Sequence, residues 1–222
     1  MTDARRITAA ALVVAPGLFL VSNLIHPKEF APDNEAAQLA KIAESYQRWQ
    51  AAHLISLLSL LAFAAAVAGL ALLVQANVRF AAAGAAMGIA GLIGLGGALA
   101  IDGFSWGIAG EVWGKSDAYK PAAEVVLNDM QHSEWALPFY LMGVFWILGL
   151  LVLGLAAVRA RLVPAWAVAL LVLGAVMVGL ETSIQDNVYF VIASAVLLAG
   201  GVAVALALSR GDEPHRDPVG VG

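Results

Sequence analysis

Long apolar runs alternate with short polar segments along this chain. The runs cover residues 7–25, 51–75, 80–101, 137–158, 163–180 and 188–209. A membrane-spanning helix needs roughly 20 apolar residues to cross a hydrocarbon core of about 30 Å. Each run has about that length, the fifth being short, and none shows the period-two alternation of a transmembrane barrel strand. The pattern predicts an all-α, polytopic membrane protein built as a bundle of six transmembrane helices.

Composition supports the membrane class and excludes several others. Hydrophobic residues make up 61% of the 222 residues and charged residues 13%, which is unlike a soluble domain. We expect one transmembrane domain over residues 1–210 and a disordered polar tail over residues 211–222. The absence of cysteine excludes disulfides and thiolate chemistry. The sequence has no phosphate-binding loop, no Gly-x-Ser-x-Gly elbow and no long basic stretch, so no nucleic-acid partner is predicted.

Arginine side chains mark one set of helix ends, which sets the expected orientation. The residues concerned are Arg5, Arg6, Arg79, Arg159, Arg161, Arg210 and Arg216. The positive-inside rule places such ends in the cytoplasm. We therefore predict that both termini are cytoplasmic, that the protein lies in the bacterial cytoplasmic (inner) membrane, and that segments 26–50, 102–136 and 181–187 face outward.

The outward segments contain helical signals of their own. Asp33 or Asn34 is suited to cap a helix that runs to about residue 46 and lies at the interface or over the bundle. Pro121 is suited to start another helix, which runs to about residue 131. Between them, several glycines predict that the first half of segment 102–136 is not one rigid helix; these are Gly103, Gly107, Gly110 and Gly114.

A stripe of glycines in the third run predicts close helix packing. Gly84, Gly88 and Gly91 share one helix face, and small residues on one face let helices approach closely. The stripe packs either within the bundle or against a second copy of the chain, so a homo-oligomer is one candidate partner assembly. Continued by helical steps, the same face reaches Asp102, whose carboxylate should then face protein rather than lipid.

Ionisable residues gather at the outer helix ends, where we place the candidate chemistry. Charges at helix ends often only mark the bilayer surface, because their cost is small there. Asp102 and Glu181 stand out because each ends an uninterrupted apolar run, and His53 because it lies inside its span. The predicted catalytic residues are Asp102, Glu181, His53 and His132.

Aromatic residues near the same level are candidates for substrate contact. Tryptophans at helix ends are also typical of an interfacial belt. Trp146 differs because it lies about three turns inside its span and shares a face with Phe139, which suggests an interior cavity open to lipid. The predicted substrate-binding residues are Trp49, Trp106, Trp135, Phe139, Trp146 and Tyr189.

Three functions fit these residues. The first is a membrane enzyme that acts on a hydrophobic, isoprenoid-like small molecule by acid–base chemistry, without a cofactor. The second is a metal or haem site with His26, His53 and His132 as ligands, although the sequence has no HxxH or HExxH pair. The third is a non-enzymatic lipid-binding, transport or accessory subunit of the bilayer.

Three short stretches carry a resemblance. The sequences HPKEF after the first run, RWQAAHL at the start of the second and IDGF at the end of the third resemble small multipass membrane proteins of actinobacteria. Some bacterial membrane proteins of similar size are membrane-bound terpene cyclases, which protonate an alkene, cyclise it and remove a proton. That resemblance implies a lyase or isomerase of the terpene cyclase type and favours the first function.

Overall fold

The computed structural model describes residues 3–27, 34–74, 78–131, 134, 137–180 and 186–210, and every secondary-structure element there is helical. The α-helices are α1 (Asp3–Ile25), α2 (Glu35–Glu44), α3 (Tyr46–Leu73), α4 (Val78–Ala100), α5 (Gly107–Lys115), α6 (Lys120–Gln131), α7 (Leu137–Arg159), α8 (Ala165–Gly179) and α9 (Asn187–Arg210). A π-helix (Ile101–Trp106) joins α4 to α5, and a 3₁₀ turn (Asp117–Tyr119) precedes α6. The predicted all-α class is confirmed, and the predicted tail lies outside the described residues.

Among the described residues, five helical segments are long and apolar enough to cross a bilayer. They are α1, α3, the continuous stretch Arg79–Lys115, α7 and α9. They make this a multipass membrane protein. The fifth predicted span corresponds to α8, which has 15 residues and therefore rises only about 22 Å. By length alone, the described residues thus contain five spans where the hydropathy pattern predicts six.

Six helices, α1, α3, α4, α7, α8 and α9, pack as a closed ring in which each contacts the next and α9 returns to α1. Neighbours run antiparallel. Gly174 of α8 lies against Leu197 of α9, and Gly200 of α9 lies against Leu171 of α8. The first helix and the last are joined in the same way, because a Cβ at Gly201 would collide with the carbonyl of Leu12. Because neighbours are antiparallel, the C-terminal end of one helix lies on the same side of the ring as the N-terminal end of the next.

Glycines make the interface between α4 and α7. A Cβ at Gly91 would collide with the backbone of Trp146, and a Cβ at Gly149 would collide with the backbone of Gly88. Gly84 lies against α7 in the same way. Of the two uses considered for the glycine stripe, packing within the bundle is the one present here. A homo-oligomer through the stripe stays a prediction, and it would have to exchange these contacts.

Hydroxyl groups make the interface between α1 and α3. Ser22 Oγ donates to the carbonyl of Ala52 at 2.7 Å and lies 2.7 Å from Ser56 Oγ. Because one hydroxyl has one proton, Ser56 is the donor in the second bond. Ser59 Oγ donates to the carbonyl of Ala15 at 2.7 Å. These bonds satisfy polar groups that would otherwise be buried without a partner.

The sequence predicts that the first half of segment 102–136 is not one rigid helix, and this prediction is wrong. The stretch Arg79–Lys115 is continuously helical over 37 residues, which corresponds to about 55 Å. Since the hydrocarbon core is about 30 Å thick, about 25 Å of this stretch extends beyond it. Its glycines do not interrupt the helix, and most of them, such as Gly91 and Gly103, lie where another helix packs closely.

The two ends of the bundle differ in their polar residues. We call the end that carries His26, His53 and Asp102 the histidine end. We call the end that carries Arg161 and Arg210 the arginine end. The α2, α5 and α6 helices all lie at the histidine end.

Candidate functional site

A small helical cap covers the histidine end. Helices α2, α5 and α6, here called the cap, contact one another and share a hydrophobic core distinct from that of the bundle. Its buried side chains are Leu39, Ile42, Trp49, Trp106, Ala109, Ala123 and Leu127. The side chain of Asn34 caps α2 by accepting the N–H of Ala37 at 2.9 Å. The two short helices expected from the sequence in this part of the chain are confirmed, and both lie at the histidine end.

The π-helix presents its backbone carbonyls to α3. The indole Nε1 of Trp49 donates to the carbonyls of Asp102 and Gly103, at 3.2 and 3.0 Å. The side-chain amide of Gln50 donates to the carbonyl of Gly103 at 3.2 Å. Segments of π-helix within an α-helix occur frequently at functional sites. Here side chains of α3 donate hydrogen bonds to carbonyls of the π-helix, where the π-helix passes the N-terminal part of α3.

Three glycines, one in the π-helix and two in α5, let α3 and α2 pack directly on this part of the chain. A Cβ at Gly103 would lie 2.5 Å from the Cβ of His53, which is closer than two carbon atoms can approach. A Cβ at Gly107 would collide with Gln50, and one at Gly110 with Ile42. The spacing of the glycines therefore fixes where His53 sits relative to the π-helix.

Two histidines and a tryptophan form a compact cluster beneath the cap. The ring centroids of His26 and His53 are 5.2 Å apart. The ring of Trp49 lies 4.9 Å from His26 and 4.7 Å from His53. Trp106 extends the cluster, stacked on Trp49 at 6.5 Å. The cluster thus joins the end of α1, the start of α3 and the π-helix.

Backbone carbonyls set the tautomers of both histidines. The Nδ1 of His53 lies 2.9 Å from the carbonyl of Trp49, and the Nδ1 of His26 lies 3.1 Å from the carbonyl of Pro27. A carbonyl only accepts, so in both neutral rings Nδ1 carries the proton and Nε2 has the free lone pair. Both rings therefore present Nε2 as a base.

The charge state of His26 follows from its surroundings. It follows the last residue of α1 and is partly buried. Burial, followed by the proximity of His53, lowers the pKa of His26 from 6.5 to about 4. At neutral pH this imidazole is uncharged, which is the form that accepts a proton.

Asp102 lies in the first turn of the π-helix and is partly buried. Its own carbonyl accepts from Trp49, and the next residue lies against His53. The structure therefore brings Asp102, His53, Trp49 and Trp106, four residues expected in the site, to the histidine end together with His26.

The other expected site residues lie outside this cluster or outside the described residues. Trp146 is 2% exposed and packs edge-on to Phe63 at 5.3 Å, where its indole N–H meets no acceptor among the described residues. Phe139 packs on Gly97 of α4. Tyr189 donates to the carbonyl of Met177 at 2.9 Å. Glu181, His132 and Trp135 lie outside the described residues.

Sequence reasoning missed Gln50 and Gly103. The amide of Gln50 supports the π-helix, and Gly103 provides the surface on which His53 lies. A signal for Gly103 was present in the spacing of glycines at 103, 107 and 110, since steps of three and four residues place them on one helix face. They were interpreted as breaks rather than as a packing face.

The metal alternative stays a prediction. Of its three expected ligands, His26 and His53 lie together, while His132 is outside the described residues. Within the ranges that the structure covers, no three histidine or carboxylate groups are grouped closely enough to bind a metal ion.

Comparison with known proteins gives one match. The protein family described as Domain of unknown function (DUF4386) matches residues 7–209, which is nearly the whole chain. No curated protein and no solved structure matches it.

Proposed function

The chain belongs to the DUF4386 family, and we propose that it is an integral membrane enzyme whose acid–base site is the cluster at the histidine end. The observation that carries this proposal is the pair formed by His26 and His53. Each ring has its Nδ1 bonded to a backbone carbonyl, so each offers Nε2 as a base. Two oriented, neutral bases beneath a hydrophobic cap are suited to proton transfer in a site with little water.

The substrate class follows from the surroundings of the pair. The cluster lies at the histidine end of a multipass membrane bundle and is bordered by the rings of Trp49 and Trp106. A substrate that reaches it from the bilayer must be hydrophobic. Aromatic faces stabilise a developing positive charge by roughly 2 kcal/mol or more when desolvated. An isoprenoid-like molecule that reacts through a carbocation fits both features.

The reaction we propose is a protonation-initiated cyclisation or isomerisation of the terpene cyclase type. The Asp102 carboxyl group gives its proton to one carbon of an alkene, whose π electrons form the new C–H bond. The ring closes as a second alkene attacks the cation. Nε2 of His53 removes a proton from the adjacent carbon, and those C–H electrons form the product alkene. His53 then releases that proton to water and Asp102 takes up another from water, so the cycle is redox-neutral, needs no cofactor and introduces one solvent proton per turnover.

The proposed orientation places this site on the outer side of a bacterial cytoplasmic membrane. Six spans complete the ring if α8 crosses with the residues that flank it, because α8 packs between α7 and α9 as a full member. An even number of spans puts both termini on the arginine end. The positive-inside rule makes that end cytoplasmic.

The test is turnover in D₂O. Purified protein in lipid nanodiscs is incubated with farnesol, geranylgeraniol or farnesyl indole, and products are analysed by mass spectrometry. We expect a product that is isomeric with its substrate and carries one deuterium. Positioned acid–base groups typically contribute about 10²–10⁴-fold, so His53→Gln and Asp102→Asn should lower the rate by at least about 100-fold.

Trp166→Phe is the control, because Trp166 lies at the arginine end and is largely exposed. It should leave the rate unchanged. Product formed without deuterium, or formed equally by the His53 and Asp102 variants, would show that this proton transfer does not occur. Absence of product with all three isoprenoids would reject the isoprenoid substrate class.

A further inference from the structure

A groove opens at the arginine end, between the turn that joins α7 to α8 and the last turn of α9. It is a shallow depression of about 480 Å³ that is open to its surroundings. Its lining includes Val158, Arg161, Leu162, Pro164, Ala207 and Arg210. The groove thus combines two cations with an apolar wall, and among the described residues that line it there is no carboxylate.

The backbone at Arg161 does not explain why an arginine stands there. Arg161 is left-handed, with φ 57°. Its N–H donates to the carbonyl of Val158 at 2.9 Å, and the next N–H, of Leu162, donates to Ala157 at 3.0 Å. This is a Schellman motif, in which glycine is the usual left-handed residue. Glycine would form the turn at lower conformational cost, so the arginine is accounted for by its charged side chain in the groove.

The depth of the groove matches the headgroup layer of a bilayer. Trp166, two residues beyond Pro164, is 64% exposed. An exposed tryptophan at a helix end is typical of the membrane interface. Arg210 ends the apolar helix α9, which places it at the same level. Arginines at the ends of apolar helices are expected at the level of lipid phosphates.

We propose that this groove binds an anionic phospholipid, with Arg161 and Arg210 on its phosphate and an acyl chain along the apolar wall. Basic pockets between transmembrane helices bind acidic headgroups in this way, and guanidinium groups match the geometry of phosphate oxygens. The proposal does not depend on catalysis at the histidine end, since the two sites lie at opposite ends of the bundle.

The test measures lipid binding by delipidated protein in detergent. Native mass spectrometry follows titration with dioleoylphosphatidylglycerol, dioleoylphosphatidylcholine or inorganic phosphate. We expect one tightly bound phosphatidylglycerol and weaker binding of the other two. Arg161→Gly should weaken phosphatidylglycerol binding about fivefold, the effect of one cation near a membrane surface. Its unfolding temperature without lipid should stay the same or rise, because glycine suits the left-handed conformation.

Two further variants separate the groove from general basic charge. Arg210→Gln should weaken binding as much as Arg161→Gly, whereas Arg79→Gln, an exposed arginine outside the groove, should not. Equal binding of the two phospholipids would overturn the proposal. So would an equal loss in Arg79→Gln, or saturation by inorganic phosphate alone, which would indicate a site for a free anion.

Discussion

The histidine end and the arginine end of this bundle are finished in different ways. At the histidine end, the cap adds a second hydrophobic core, and Trp49 and Gln50 satisfy backbone carbonyls of the π-helix. At the arginine end, α7 turns into α8 within a few residues, and Arg161 and Arg210 border an open groove. Ordered polar contacts inside a shielded site suit chemistry. Exposed cations on a short turn suit contact with a charged surface.

The largest expected loss of stability follows from adding a methyl group at Gly103. In Gly103→Ala the new Cβ would lie 2.5 Å from the Cβ of His53, so helix α3 and the π-helix must separate. Overpacking of this kind costs about 1–3 kcal/mol, and we expect the upper end because the obstacle is close to the backbone. Thermal unfolding in detergent measures the loss, and isoprenoid turnover should fall with it.

Gly96→Ala is the matched control on the same helix. The nearest atom to a Cβ at Gly96 is Leu60 Cδ1 at 3.6 Å, an ordinary contact. This variant should unfold at the wild-type temperature or above it, since alanine favours the helix by about 1 kcal/mol over glycine. Equal destabilisation by the two variants would mean that the packing of His53 on Gly103 is not tight.

The same glycine shows how far the sequence leads. Hydropathy identified the apolar helices because lipid imposes a length that five of the six runs satisfy, and Asn34 and Pro121 indicated the cap helices by local capping chemistry. The sequence predicts a helix interruption around Gly103, because glycine has the same low helix propensity in a loop and at a helix crossing. The identity of the neighbouring helix decides between them. That neighbour is distant in sequence, so no local pattern reports it.

The pairing of His26 with His53 was partly predictable. Both lie near helix ends that the sequence predicts on one side of the membrane, and antiparallel neighbours bring such ends together. Their tautomers were not predictable, because these depend on the carbonyls of Pro27 and Trp49, which only the folded backbone positions. The same holds for Trp146, whose place in the span suggested a cavity but whose side chain fills the space against Phe63.

The next largest effect is a loss of stability in acid. Burial, with His53 and Arg48 as the nearby basic groups, lowers the pKa of His26 to about 4, so the unfolded chain binds a proton at higher pH than the folded one. Stability due to neutral His26 is complete above pH 6.5 and is lost as the pH falls towards 4. Each pKa unit corresponds to about 1.4 kcal/mol, and because His26 is partly exposed we expect about 1–2 kcal/mol. Chemical denaturation in mixed micelles measures it.

His26→Gln isolates this contribution, because glutamine keeps a polar side chain of similar reach and does not titrate. The difference in unfolding free energy between wild type and variant should shrink between pH 6.5 and pH 4. His53 remains in both proteins, so its own titration largely cancels. A difference that is constant over this range would show that His26 has an unshifted pKa in the fold.

A smaller effect is expected from Trp49→Phe, which keeps the ring but removes the donor to the Asp102 and Gly103 carbonyls. Gln50 still donates to Gly103, so the bond that this variant loses outright is the one from Trp49 to the carbonyl of Asp102. Loss of a buried hydrogen bond costs about 1 kcal/mol, and the variant should be destabilised by that amount. Trp166→Phe, at the exposed arginine end, should change little. Hydrogen exchange at residues 101–106 should rise in the first variant alone, and equal exchange in both would argue against support of the π-helix by Trp49.

The smallest expected effect concerns the contacts that hold the cap in place. Lys120 pairs with Asp117 at 2.6 Å, and its ammonium lies 4.4 Å from the centroid of the Trp113 ring. Asp117 is 93% exposed, and solvent leaves such an ion pair with little effect on stability. Lys120→Gln should therefore lower the unfolding temperature less than the destabilising variants above, and much of that loss should vanish in 1 M salt, where the screening length is about 3 Å. A larger, salt-independent loss would mean that this cation, rather than the buried core around Leu39 and Leu127, determines where the cap sits.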